Sequence, residues 1–265
     1  MIPIGSYHYI QIFGIDVLWE SIVFVIAGFL ALYYCIKQMK KEKLRIDYYD
    51  LILYMLVFSW LGARIWHFVV DYKGPEPILT ALNFWKPGLT SVGFFMGFAF
   101  AVYFYTLVYR KKEDPNFFQI GDVAVIYILI YGFIARLAGC FIDGHKIGTV
   151  TDVSWGVFRH GALRHPLGLY LGIMHLALFF FMYFVFVKKG KIKKKFDGQL
   201  VYTALIAYSI IRFFIEFFSA EQARTFGLNT VQWTLVVVAL VSLIGYYFTQ
   251  RVYSKKAEFS EKKKH

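Results

Sequence analysis

The sequence predicts an all-α polytopic membrane protein with seven transmembrane helices, its N-terminus outside and its C-terminus in the cytoplasm. Three observations predict it. Of 265 residues, 58% are hydrophobic and only 17% are charged, against roughly 25% charged in soluble domains. The apolar residues gather in near-uncharged stretches of about 20, the length that crosses a hydrocarbon core of about 30 Å at about 1.5 Å per helical residue. The basic residues, finally, fall in short clusters after alternate stretches, which is how membrane topology is written.

In chain order the spans fall at residues 17–36, 51–70, 90–109, 118–139, 166–187, 199–218 and 230–249. Backbone groups in hydrocarbon cannot bond water, so each span closes its hydrogen bonds internally as a helix. The alternating ten-residue pattern of a membrane barrel is not visible. Residues 37–45 hold five Lys and Arg, 110–112 three, 188–195 six and the tail from Arg251 six, which makes twenty. The alternate loops hold Lys73, Lys86, Lys146, Arg159, Arg164 and Arg224. That asymmetry assigns the basic loops and the tail to the cytoplasm, and an even number of helices would break it. The same clustering accounts for the net charge of +12 without nucleic acid.

Residues 1–253 therefore read as one seven-helix domain, with an outer loop at 140–165 that covers any site on that side. Residues 254–265 read as a basic, solvated cytoplasmic tail. Met1 to Ile15 lacks a basic leader, so the first helix is expected to be retained. Cys35 and Cys140 lie at opposite ends of different helices, too far apart for a disulfide.

Three arginines interrupt the spans: Arg64, Arg136 and Arg212. A charged side chain at the centre of a helix costs about 2.5–3.5 kcal/mol even on the lower scales. Each lies a few residues from the outer end of its span, on the order of 5–10 Å below the interface. Snorkelling to the interface is one explanation. A shared polar cavity is the other, since a guanidinium fork matches phosphate oxygens two at a time. Arg212 and Glu216 are four apart and share a helix face, as an ion pair or as an oriented cation.

The segment RLAGCFIDGHKIG, residues 136–148, carries Gly139, Gly144 and Gly148, the signature of a helix end followed by tight turns. Asp143, His145 and Lys146 decorate it. Arg164, His165 and Pro166 open the fifth span, and a histidine there is an interfacial residue or a base. The scattered histidines form no metal-ligand spacing, and His175, mid-span, reads as packed and bonded to a neighbouring helix. Seven helices suggest retinal, but the seventh span has no lysine for a Schiff base. Gly93 and Gly97 form a GxxxG, read as a close helix contact.

Taken in order, several fragments resemble the prolipoprotein diacylglyceryl transferase family. They are IGSYHYIQIFGIDVLWES near the start, Gly62–Arg64, GLTSVGFFMG at 88–97, GCFIDG, TDVSWGV at 151–157, the Arg164–Pro166 triplet with Tyr170, RFFIEFF at 212–218 and GLNTVQW. The chain departs from the family pattern in places. The family's histidine falls on Val92 and the second glycine after it on Phe94. The asparagine of its arginine–glycine–asparagine motif falls on Cys140, with Arg136 one residue further away. Two glutamates fall on His145 and Leu171.

The resemblance implies transfer of a diacylglyceryl group from phosphatidylglycerol to the lipobox cysteine thiol of a prolipoprotein, at the outer leaflet of the plasma membrane, without a cofactor or a metal. It implies Arg136 and Arg212 on the phosphate with Arg64 in support, and Glu216 orienting Arg212. His165 or His145 would assist deprotonation, and Tyr170 would donate a hydrogen bond. Gly139, Asp143 and Gly144 would shape the substrate site. The alternative is a non-catalytic lipid- or lipoprotein-binding membrane protein on the same scaffold. A transporter or receptor is disfavoured because the intramembrane charges cluster towards one leaflet.

Overall fold

A computed structural model describes residues 9–12, 15–71, 91–109, 115–138, 148–220 and 224–262. Those residues are mostly helical: α1 Trp19–Lys41, α2 Tyr48–Trp66, α3 Ser91–Val108, α4 Phe117–Ala138, α5 Leu167–Phe186, α6 Gln199–Ile215 and α7 Thr230–Lys262. Six helical stretches are long and apolar enough to cross a membrane. They are Ile22–Lys41, Tyr48–Val69, Phe117–Ala138, Leu167–Phe186, Gln199–Phe218 and Thr230–Lys256. A seventh apolar helix, Val92–Val108, is shorter. The first helix runs on from residue 36 to Lys41, and α7 runs through the basic tail to Lys262. Short antiparallel hairpins join the helices, among them Val157–Arg159 with Ala162–Arg164 and Val187–Lys188 with Lys191–Ile192. His160 and Gly161 turn the first of these with positive φ, the geometry that favours glycine.

The chain divides into two compact units, Lys43–Gly121 and the remainder. In the smaller unit, Asp47 caps α2 by accepting from the backbone N–H of Tyr49 and Asp50. Leu51, Met55, Ser59 and Ala63 recur every four residues and form the buried face of α2. Gly93, Gly97 and Ala101 repeat the spacing on α3, so a stripe of small residues meets the buried face of α2. A Cβ on Gly62 would lie 2.9 Å from the Gly97 Cα and would collide with the Gly93 carbonyl. The expected GxxxG contact is thus observed, with Gly62 as its partner. Tyr54, Phe58, Phe100 and Phe104 extend the seam as edge-to-face and tilted rings.

In the larger unit the core comprises Ile126 and Leu129 of α4, a stripe of Leu171, Met174, Leu178, Met182 and Phe186 along α5, and Leu200 and Ala204 of α6. The i, i+3, i+4 recurrence on α5 is the helical mark of one buried face. One side chain sets the register of α4 against α6. Asp122, fully buried on α4, accepts from the backbone N–H of Gly198 at 2.8 Å, Leu200 at 3.0 Å and Val201 at 3.1 Å, and from Lys194 Nζ at 2.9 Å. It caps α6 from a different helix, and satisfies donors that an apolar setting would otherwise leave bare. From this shared level α4 runs 14 residues to Arg136 (136 − 122) and α6 runs 12 from Leu200 to Arg212 (212 − 200). At about 1.5 Å per residue those are about 21 and 18 Å, so two parallel helices bring their arginines to the same depth.

Candidate active site

Arg212 closes the last turn of α6 and is buried. Its Nη1 donates to the Tyr208 hydroxyl at 3.0 Å and its Nη2 meets Glu216 Oε2 at 3.4 Å. Tyr208, Arg212 and Glu216 stand at i, i+4 and i+8, one stripe of a helix. The tyrosine could therefore have been read from the sequence by the spacing that pairs the other two. Glu216, also buried, opens the 3-10 turn Glu216–Phe218 that follows α6.

Arg136, in the last turn of α4, lies within electrostatic reach of Arg212, Glu216, Tyr208 and Tyr131. Two guanidiniums and one carboxylate leave one net positive charge, with Arg212 and Glu216 buried and Arg136 half-buried. Such a site favours an anion, because an uncompensated buried charge is costly. A guanidinium also carries five donors, of which Arg212 uses two on described residues. The remaining donors have no hydrogen-bond partner among the described residues and can grip a phosphate-like anion.

Beyond Glu216 the chain builds a small aromatic cover. Thr149 N–H donates to the Phe218 carbonyl at 2.8 Å, and His165 N–H to the Thr149 carbonyl at 3.1 Å. Residue 149 is thereby stitched between the end of α6 and the start of α5. His165 Nδ1 lies 2.9 Å from the Tyr170 hydroxyl, and Trp155 Nε1 donates to the same oxygen at 2.9 Å. The His165 and Phe218 rings pack with centroids 4.8 Å apart. Arg164 turns away from this cluster. Its Nε donates to the Arg159 carbonyl and its Nη1 to the Gly148 carbonyl, both at 3.2 Å, so it braces the hairpin.

A profile of the prolipoprotein diacylglyceryl transferase family matches residues 8–248. The chain belongs to that family. It is similar to the phosphatidylglycerol–prolipoprotein diacylglyceryl transferases of three bacteria. For Campylobacter hominis the identity is 27% over 274 residues, covering 96% of this chain and 94% of the relative. For Aliarcobacter butzleri it is 29% over 258 residues, covering 90% and 91%. For Clostridioides difficile it is 28% over 247 residues, covering 92% and 94%.

Of the residues that the resemblance to this transferase family singled out, the fold gathers Arg136, Arg212 and Glu216 into one group and His165 with Tyr170 into another. Arg64 is buried on α2, in the smaller unit. Gly139, Asp143, Gly144 and His145 lie outside the described residues. Trp155 was not anticipated, since nothing in TDVSWGV marks the indole as a partner of Tyr170. His175 differs from its reading. It is packed, but its Nδ1 bonds the carbonyl of Leu171 on its own helix at 2.6 Å, not a group on a neighbour. The neighbour instead supplies room. A Cβ on Gly132 of α4 would lie 2.7 Å from His175 Nε2.

Proposed function

We propose that this chain moves the diacylglyceryl group of phosphatidylglycerol onto the thiol of a lipobox cysteine in a prolipoprotein, and that Arg136 and Arg212 hold the phosphate that leaves. The observation that carries the reading is two guanidiniums beside one carboxylate, with Arg212 paired to Glu216 and Arg136 within electrostatic reach, a largely buried group with one positive charge in excess. The thiolate attacks the glycerol carbon next to the phosphate oxygen. A carbon–sulfur bond forms, the carbon–oxygen bond breaks, and glycerol phosphate departs with the electron pair. Charge grows on the departing phosphate, so preorganised donors aimed at it lower the barrier. Glu216 holds Arg212 in orientation, and Tyr208 fixes the other arm of the fork. Tyr170 and His165 border the site in this reading, while Arg64, Gly139, Asp143, Gly144 and His145 keep the supporting roles that the family resemblance alone assigns them.

The topology proposed is seven spans, with the amino end outside and the carboxyl end in the cytoplasm of a plasma-membrane protein, so that the site faces the outer leaflet. The twenty clustered basic residues support it. Val92–Val108 supports the count, because 17 helical residues span about 26 Å, near the lower limit for crossing. Both substrates carry long apolar segments and reach the site laterally between helices.

The test is to incubate the purified protein with phosphatidylglycerol and a lipobox peptide and to look for the thioether-lipidated peptide by mass spectrometry. The expected result is a mass increase of one diacylglyceryl group on the cysteine. Retention of phosphatidylglycerol without any product would instead mark a lipid-binding relative.

A further inference from the structure

A thiol near its ordinary pKa of about 8.5 is a poor nucleophile at neutral pH, so the transfer reaction needs a proton acceptor. Three described side chains qualify by type: Glu216 and His175, within reach of the arginines, and His165, packed on Phe218 beyond them. Glu216 faces the Arg212 guanidinium. His165 is committed through Nδ1. The indole N–H of Trp155 can only donate, so the Tyr170 oxygen accepts it, and with that lone pair occupied the phenolic proton is best placed on His165 Nδ1. The neutral His165 ring then carries its proton on Nε2 and presents a donor.

His175 is the reverse. A carbonyl oxygen can only accept, so the 2.6 Å contact with Leu171 O requires the proton on Nδ1. Among the described residues no donor meets the Nε2 lone pair. The ring is nine-tenths buried. Its Cδ2–Nε2 edge lies against Gly132 of α4, it packs edge-to-face with Tyr208 of α6 with centroids 5.6 Å apart, and Arg136 and Arg212 lie within electrostatic reach.

Position along α6 separates the two histidines further. Tyr208, against which His175 packs, lies one turn before Arg212 towards the Asp122 end. Phe218, against which His165 packs, lies six residues beyond it. Displacement at a saturated carbon brings the nucleophile in opposite the leaving oxygen. If the arginines hold that oxygen's phosphate near the outer side, the thiol approaches from the buried side, where His175 lies.

We infer that His175 Nε2 accepts the proton of the attacking thiol, with the Leu171 carbonyl fixing the tautomer and Tyr208 fixing the ring. This rests on the transfer reaction proposed above. The proton passes from sulfur to Nε2, sulfur bonds to the glycerol carbon, and the carbon–oxygen bond breaks towards the phosphate. The phosphate monoester departs as its dianion, held by the arginines, and the imidazolium gives up its proton to water before the next turnover, so the ring ends as it began.

The test uses the full chain in phosphatidylglycerol nanodiscs and two lipobox peptides, one with cysteine and one with selenocysteine, whose selenol ionises at neutral pH unaided. In His175→Asn the shorter amide can still donate to the Leu171 carbonyl, which protects the fold, but it offers no basic nitrogen. At pH 7 the variant should transfer to the cysteine peptide about 10²-fold more slowly than the parent. It should stay within threefold of the parent on the selenocysteine peptide, and the deficit with cysteine should narrow as the pH passes about 8.5. An equal loss on both peptides would overturn the assignment by showing a structural role, as would a variant within twofold of the parent on cysteine. A parent that lipidates neither peptide would overturn the transfer reaction, and this inference with it.

Discussion

Two buried carboxylates stand at opposite ends of the α4–α6 pair, and their surroundings treat them differently. Asp122 receives three backbone N–H groups and the Lys194 ammonium, all within 3.1 Å. Glu216 receives one guanidinium at 3.4 Å, and a second guanidinium, that of Arg136, stands close by. The first end is saturated, and its carboxylate has no capacity left for a ligand. The second holds more cation than anion and more donors than acceptors. A fold tolerates that surplus where a substrate anion is to complete it. Saturation marks the Asp122 end as scaffold, and the surplus of cation at the Arg212 end is what supports the site proposed there.

The most damaging way to break this comparison is Asp122→Ala. It leaves the N–H groups of Gly198, Leu200 and Val201 and the Lys194 ammonium without their carboxylate. Breaking a buried pair by removing one partner costs about 3–5 kcal/mol. The expected outcome is a large fall in the unfolding temperature in detergent, with lipid binding lost only as the fold is lost. A variant that unfolds at the parental temperature would remove the scaffold reading.

Arg212→Lys should do the opposite, leaving stability near the parent and slowing transfer. Lysine keeps the charge opposite Glu216 but not the planar fork that reaches Tyr208, Glu216 and two phosphate oxygens together. Loss of one preorganised donor costs roughly 10²–10³ in rate, and the lower end is expected because Arg136 remains. Transfer within twofold of the parent, at matched protein levels, would reduce Arg212 to an ion-pair partner.

How much of each end was legible follows from range. Arg212 and Glu216 were readable because their pairing is local, four residues on one helix, and Tyr208 belongs to the same stripe. The arginine of α4 was visible as an expensive residue in an apolar span. Asp122 gave no such signal, because its partners lie more than 70 residues away and only the folded chain brings α6 to it. For the same reason the run Lys188–Lys195 read as a uniform topology anchor. In the fold its members differ: Lys194 bridges Asp122 and Asp197 at 2.9 Å each, while the adjoining hairpin docks on Glu42 through the Ile192 N–H at 2.7 Å. His175 was visible too, but a sequence cannot tell which ring nitrogen a helix carbonyl will claim.

Lys194→Met sharpens the comparison more gently, since Asp122 keeps its three backbone donors. Burial opposes the Lys194 ammonium, but the Asp122 and Asp197 carboxylates outweigh it and hold its pKa above the ordinary lysine value. A folded-state value raised above the unfolded one contributes stability that is complete below about 10.4 and is lost as the pH climbs through the folded value. The parent should therefore show no change from this group between pH 7 and 10, and an added loss above that. Melting curves across that range check it: Lys194→Met should be less stable at pH 7 and decline less on the alkaline side. Parallel curves for the two proteins would mean that the ammonium is not coupled to folding.

The smallest effect is expected at the aromatic cover, where Trp155→Phe removes one donor and keeps an aromatic ring. Trp155 is itself exposed, so its loss leaves the core intact. What changes is the Tyr170 oxygen. With the indole N–H present, that oxygen accepts from Trp155 and gives its own proton to His165 Nδ1. Without it, the oxygen is equally able to accept from a proton on Nδ1, and the two neutral His165 tautomers become comparable. The ring would then present a donor on Nε2 only part of the time. With the two tautomers comparable the donor is present about half of the time, so transfer should fall about twofold, well short of the Arg212→Lys effect. Nitrogen NMR of ring-labelled histidine should show the His165 Nε2–H population falling in step with the rate. A rate loss with no change of tautomer would mean that Trp155 acts by covering the site, and the donor assigned to His165 would have to be withdrawn.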